Sequence, residues 1–118
     1  MGGTLVIVDD HAGFRSSARA VFEAEGYLVV GEASDGASAL DTVACCDPDV
    51  VLLDVALPDV DGFTVCAELT RRNASRPAIV LTSSRDVSTF RQRLATSAAR
   101  GFIAKSDLSG NSLDALRR

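Results

Sequence analysis

Residues 50–62 read Val50-Val51-Leu52-Leu53-Asp54-Val55-Ala56-Leu57-Pro58-Asp59-Val60-Asp61-Gly62. Four aliphatic residues in succession end on an acid, and a loop rich in proline, aspartate and glycine follows. Asp47-Pro48 breaks the chain just before the run. An unbroken aliphatic run bounded by such breakers reads as a short strand buried on both faces, not as an alternating strand with one wet side. Three further runs share this design. Thr4-Leu5-Val6-Ile7-Val8 leads into Asp9-Asp10, Ala78-Ile79-Val80-Leu81 into Thr82, and Phe102-Ile103-Ala104 into Lys105. In open α/β sheets ligands bind outside the carboxyl ends of the strands. If the four strands run parallel, three carboxylates, a hydroxyl and an ammonium meet at that edge.

Between the runs the apolar period changes to that of helices. Phe14, Ala18, Val21, Phe22 and Glu25 share a helical face that Gly26 ends. Tyr27-Leu28-Val29-Val30 predicts a further strand, followed by Gly31-Glu32-Ala33. A second helix is expected from Asp35 or Gly36 to Cys45, with Ala39, Leu40 and Val43 inward. Phe63, Cys66, Ala67 and Leu69 to Thr70 predict a third, closed by Arg71-Arg72-Asn73. Val87, Phe90 and Leu94 predict a fourth, and Ser109 to Arg118, with Leu113 and Leu116, a short fifth. Five strands alternating with five helices specify a parallel sheet covered on both faces, with right-handed crossovers.

Size and composition are those of one domain: 118 residues, 47% of them hydrophobic, and a mean hydropathy of +0.17. The net charge of −4 and pI near 4.8 give no electrostatic basis for binding nucleic acid. No apolar run approaches the length that spans a bilayer. Met1 to Thr4 lead straight into a strand pattern, without the basic leader of a signal peptide. Cys45, Cys46 and Cys66 are odd in number and lack C-x-x-C spacing, which supports neither a disulfide framework nor a zinc site. A cytoplasmic protein with reduced thiols is expected, with Cys66 in the core.

Asp9, Asp10 and Asp54 set the chemistry. Two unit charges ~4 Å apart repel by about 4 kcal/mol at an effective dielectric near 20. Three clustered acids therefore raise their pKa values or share a cation. Oxygen-only donors select a hard cation, and few carboxylates with room for water favour Mg²⁺ over Ca²⁺. Neighbouring side chains in a strand point opposite ways, so Asp9 and Asp10 reach one site together only at a bend.

At these residues the chain resembles the receiver domain of two-component response regulators. The likeness covers almost the whole length. It rests on Asp9-Asp10, on Leu52 to Gly62, on Val80-Leu81-Thr82-Ser83 and on Gly101-Phe102-Ile103-Ala104-Lys105. The stretches Asp9-Asp10-His11 to Gly26 and Val30 to Gly36 are most similar to receivers of LuxR-type (NarL/FixJ) transcription regulators. The resemblance implies a flavodoxin-like (βα)5 three-layer sandwich whose five-stranded parallel sheet has order 2-1-3-4-5. It implies a receiver over residues 1–118 and no output domain in this chain.

The resemblance also implies roles. Asp54 is the expected phosphoacceptor from a phosphohistidine of a sensor histidine kinase. Asp10 and Asp54 are expected to hold Mg²⁺ directly, Asp9 directly or through water, and the Ala56 carbonyl to complete the set. Lys105 is expected to pair with Asp54 and then with phosphoryl oxygens, and Thr82 to hydrogen-bond the phosphoryl group. Phe102 is expected to swing inward with Thr82, repacking the fourth helix and fifth strand. Such a protein is not an enzyme in the ordinary sense, since it modifies only itself. A homodimer formed on phosphorylation, and control of transcription through an output domain, are further expectations.

Some features depart from the pattern or stand beside it. Ser106 follows Lys105 where proline is common, so the bond before it is a place to look for a cis peptide. Ala98 stands where relatives usually have glycine, so a left-handed cap on the fourth helix would be strained. Ala56 and Ser84 are small, which predicts little shielding of an acyl phosphate. His11 has no nucleophile-base pattern around it and is expected at the mouth of the site. The competing reading is an interaction module of receiver type that works without phosphate. An aspartyl-nucleophile phosphatase lacks its D-x-D at Asp54-Val55-Ala56, and flavin binding lacks a phosphate-cradling first loop.

Overall fold

The computed structural model describes residues 2–73 and 76–117. The order is β1 (Thr4–Val8), α1 (Ala12–Ala24), β2 (Leu28–Ala33), α2 (Gly36–Cys46), β3 (Val50–Asp54), α3 (Gly62–Arg72) and β4 (Ala78–Ser83). A 3₁₀ turn, Val87–Phe90, leads into α4 (Arg91–Thr96); β5 (Gly101–Ala104), a second 3₁₀ turn (Lys105–Asp107) and α5 (Gly110–Arg117) follow. The strands form one parallel sheet of order β2-β1-β3-β4-β5. This is the flavodoxin-like arrangement expected above.

The sheet is buried on both sides because odd and even positions of each run enter different cores. Leu5, Ile7, Val50, Leu52, Val80 and Ile103 pack beneath α1 and α5, with Ala18, Phe22 and Leu113. Val6, Val8, Val51, Leu53, Ile79 and Leu81 pack on the opposite face, with Ala39 and Val43 of α2 and Val65, Cys66 and Leu69 of α3. Burying each such aliphatic side chain favours folding by about 1.5–3 kcal/mol. Cys66 lies in this core as expected, and burial raises its thiol pKa.

Two local expectations, for β2 and for the fourth helix, are corrected. Strand β2 begins at Leu28, not Tyr27, and runs on through Gly31-Glu32-Ala33. It stays extended because Ile7 and Val8 of β1 pair with Glu32 and Ala33. The fourth helix is not continuous from Val87: the first turn is 3₁₀, begun by the Asp86 carboxylate accepting the Ser88 N–H at 2.8 Å. Of its expected apolar face, Phe90 is buried, Leu94 packs against the core and Val87 is exposed. As the strain expected of a left-handed alanine implies, Ala98 takes no left-handed conformation: among the described residues Asp47 is the only non-glycine at positive φ. The α4 helix stops at an extended Ser97, whose hydroxyl donates to the Leu94 carbonyl at 2.8 Å. The Lys105–Ser106 bond is trans, and the one cis peptide among the described residues is Arg76–Pro77. Arg118, expected to end α5, lies outside the described residues.

Candidate functional site

Strand register places the charged residues. Ile7 pairs with Leu52 and Val8 with Leu53, so the next step on each strand sets Asp9 beside Asp54. Asp54 pairs with Thr82, and Thr82 with Ile103, one step before Ala104 and two before Lys105. Asp9, Asp54 and Thr82 continue the alternation of Ile7, Leu52 and Val80, so all three belong to the face covered by α1 and α5. Asp10 falls out of this phase and is exposed.

The consequence is a buried pair of acids. Asp9 and Asp54 are buried and lie close enough for each to perturb the other. Lys105 sits between them, its Nζ 2.6 Å from Asp9 Oδ2 and 3.3 Å from Asp54 Oδ2. Asp9 Oδ1 accepts the His11 N–H at 2.8 Å, whereas its buried Oδ2 receives no aligned hydrogen bond despite the nearby ammonium. Asp54 Oδ1 accepts the Ala56 N–H at 3.2 Å.

One cation thus serves two buried carboxylates, and they share it unequally. Burial disfavours ionisation of Asp9, but Lys105 and the His11 N–H outweigh it and hold its carboxyl below the usual range. Burial pushes Asp54 up to about 6, and the Asp9 charge adds to it, against the opposing Ala56 N–H and Lys105. Burial also works against the Lys105 charge, yet the two acids raise its pKa.

Asp54 opens into a cleft of about 440 Å³ lined by Asp10, His11, Ala56, Ser83, Arg85 and Lys105 among others. His11 is exposed at the mouth as expected, its Nδ1 3.0 Å from Asp10 and 3.2 Å from Asp9. The Asp9, Asp10 and His11 ligand atoms lie within 4.8 Å of one another. Thr82 is paired with Asp54, but its buried hydroxyl donates to the Ile103 carbonyl at 2.6 Å and does not line the cleft. Phe102 is half-buried against the core, its ring 6.0 Å from Phe90, which itself stands 6.1 Å from Phe63.

The loop over the site is tied down by residues that the sequence reading passed over. Asp59 accepts the Gly36 N–H at 2.8 Å and the Ala37 N–H at 3.0 Å, which pins the loop to the start of α2 and lowers the Asp59 pKa. Asp61 caps α3 through the Thr64 N–H and forms an ion pair with Arg93 of α4, whose guanidinium also lies 4.3 Å from the Phe63 ring centre. Burial opposes the Asp61 charge, but Arg93 and Thr64 lower its pKa. Gly62 is obligatory for a steric reason: a Cβ there would stand 2.3 Å from the Asp54 carbonyl oxygen. For Asp61 the signal in the sequence was an aspartate at the capping position before a helix, whereas the partners of Asp59 lie at the start of α2, far back in the chain. Arg15 of α1 donates to the Asp9 carbonyl at 2.6 Å and pairs with Glu32, steadying the first loop.

The family model for the response regulator receiver domain matches residues 5–115, and the chain belongs to that family. A Pseudomonas aeruginosa protein described as a transcriptional regulator is 37% identical over 101 residues, which cover 86% of this chain and 48% of that protein. The virulence-factor transcription regulator BvgA of Bordetella pertussis is 34% identical over 105 residues, 89% of this chain and 50% of BvgA. The chain thus spans about half the length of these curated relatives. Among solved structures, a LuxR-family two-component response regulator from Aurantimonas superposes with a TM-score of 0.87 at 26% identity, covering 98% of this chain and 83% of that one. The BeF3-activated N-terminal receiver domain of Klebsiella pneumoniae RstA gives 0.82 at 31% identity, covering 97% and 95%. No helix among the described residues is long and apolar enough to cross a membrane.

Proposed function

We propose that this receiver accepts a phosphoryl group on Asp54 from a phosphohistidine of a sensor histidine kinase and uses it to switch partner binding or dimerisation. The observation that carries the reading is Asp54 itself, a buried carboxylate at the floor of an open cleft with Lys105 3.3 Å away and Asp9 beside it. A carboxylate burdened with neighbouring negative charge gains from bonding to an electrophile that brings its own cations or meets them there.

The chemistry balances simply. An Asp54 oxygen forms the O–P bond, the P–N bond of phosphohistidine breaks, and the electron pair leaves on the imidazole nitrogen. Transfer of this kind depends on in-line positioning and on neutralising charge on the equatorial oxygens. The Ala56 N–H and Lys105 each engage one Asp54 oxygen and orient the carboxylate. Among the described residues Lys105 is the one protein cation in contact with both buried acids, and it is placed to follow charge from carboxylate to phosphoryl. Two buried carboxylates sharing one ammonium, with Asp9 Oδ2 short of an aligned donor and Asp10 at the mouth of the cleft, fit a hard divalent cation. Asp9, Asp10, Asp54 and the Ala56 carbonyl would hold Mg²⁺, which when bound supplies positive charge for the transferring group.

Thr82 is set for a second role. Its hydroxyl must leave the Ile103 carbonyl to reach a group on Asp54, and that exchange disturbs the junction of β4 and β5 next to Phe102. A phosphoryl group adds nearly two negative charges and new acceptor oxygens, enough to bias such a two-state contact. The likeness to longer transcription regulators, of which the matched segment is about half, supports an output domain controlling transcription, joined to the receiver in a longer protein. A cytoplasmic location accords with a kinase partner of this kind.

Incubation with acetyl phosphate or phosphoramidate and Mg²⁺ tests the reading by mass spectrometry. One phosphoryl group is expected on the wild type and none on Asp54→Asn. A wild type that gains no mass from either donor or from kinases would replace the reading with a phosphate-independent interaction module.

A further inference from the structure

The Lys105 ammonium has a third neighbour that carries no charge. Its Nζ stands 4.4 Å from the centre of the Phe14 ring, on the ring face. Phe14 lies on the first turns of α1 and packs against the core cluster that contains Ala18 and Phe22. The ring is therefore anchored by the fold, not by the site. Lys105 follows β5 in the same strand phase as Ile103, which brings its side chain under α1, where Phe14 covers it.

We propose that Phe14 is a positioning residue that holds the Lys105 ammonium over Asp54 throughout the phosphorylation cycle. The physical reason lies in what else grips Lys105. Asp9 and Asp54 attract it only with charge that any divalent cation on the same carboxylates also draws upon. Phosphorylation then converts Asp54 from a carboxylate into a mixed anhydride whose charge lies on the phosphoryl oxygens. Both grips change during the cycle. The attraction of an ammonium to an aromatic face does not depend on the charge state of the acids, and a partly desolvated site strengthens it. The ring also keeps one side of the ammonium free of water, which sharpens the pull of the phosphoryl oxygens. Leucine of similar bulk would fill the space but offer no negative face to the cation.

The functional half of this inference rests on the phosphoacceptor reading; the contact itself does not. Two measurements separate them. In a proton NMR spectrum of the intact chain, without Mg²⁺ or phosphodonor, the Lys105 ε-methylene protons are expected upfield of ordinary lysines because of the Phe14 ring current. They are expected to return to the ordinary position in Phe14→Leu and to stay shifted in Phe14→Tyr. An ordinary position in the wild type would overturn the proposal, whether or not Asp54 takes up phosphoryl.

The second measurement is the rate of phosphorylation by acetyl phosphate at saturating Mg²⁺. Phe14→Leu is expected to be slower by about three- to tenfold, the rate equivalent of one cation–π contact, and Phe14→Tyr to retain the wild-type rate. A Phe14→Leu rate equal to wild type, or rates that follow thermal stability across both variants, would overturn the positioning role. A wild type that takes up no phosphoryl strikes the phosphoacceptor reading, and the spectrum alone then decides the contact.

Discussion

The two ends of the sheet treat charge in opposite ways. At the amino end the Thr4 N–H and hydroxyl both donate to Asp49 Oδ2, at 2.9 and 3.2 Å, and the Asp49 N–H returns to Thr4 Oγ1 at 2.9 Å. Arg76 pairs with Asp49 Oδ1 at 2.9 Å and donates to the Asp47 and Pro48 carbonyls. That carboxylate has a partner on each oxygen, and the cluster locks β1 to β3. At the carboxyl end two buried acids share one lysine, and an Asp9 oxygen lacks an aligned donor. The difference teaches where this fold tolerates stress. Satisfied charge serves stability; the crowded carboxylates are kept at the edge where, in the proposed function, a cation would offset them.

The largest loss is expected at Gly62, beside the crowded end. Gly62→Ala forces a Cβ into the Asp54 carbonyl oxygen, and a loss of ~3 kcal/mol or more is expected in urea unfolding. The same substitution at exposed Gly13, where nothing lies within 4 Å of an added Cβ, is expected to cost no stability. Next comes the stress at Asp54. Its native carboxyl holds a proton more tightly than the unfolded one, whose reference is 3.8. Its contribution therefore favours the native state below pH 3.8 and is lost as pH rises through about 6. Without Mg²⁺ at pH 8, Asp54→Asn is expected to be more stable than wild type by on the order of 2–3 kcal/mol. That gain should vanish near pH 3.5 and shrink when Mg²⁺ is added. A destabilised Asp54→Asn at pH 8 would show that the two ends do not differ as described.

The satisfied end predicts the opposite sign. Asp49→Ala is expected to lose about 1–2 kcal/mol in the same assay while still accepting phosphoryl at the wild-type rate. The smallest effect is expected at the proposed switch residue. Thr82→Val removes one buried O–H···O bond to Ile103 and should cost about 1 kcal/mol. Phosphorylation of this variant is expected to proceed, whereas the accompanying NMR shifts in β5 and around Phe102 should be lost. Retention of those shifts would remove Thr82 from the proposed switch.

Much of the fold was legible because unbroken aliphatic runs and their breakers are local signals. The strand ends at Asp9, Asp54, Thr82 and Lys105 were read directly, and the family likeness supplied the strand order. The internal ranking of the acids was not legible. The sequence presents Asp9-Asp10 as a pair, and only the pairing of Ile7 with Leu52 shows that Asp9 is the one beside Asp54. The α4 segment was misread because an i, i+3, i+7 spacing does not reveal a 3₁₀ first turn or a helix that ends on Ser97. Asp59, Asp61, Arg93 and Phe14 were missed as members of the site because their partners lie far along the chain.

By itself the sequence determined which residue types stand at the ends of which strands, since burial on both faces fixes the length and position of each aliphatic run. It also determined that too many carboxylates for one lysine would meet at one edge. Only the tertiary structure decided how they meet. Register sets which acid is buried, burial sets which one resists losing its proton, and packing of α1 sets an aromatic ring against the lysine. These are distances between remote segments, and no local pattern encodes them.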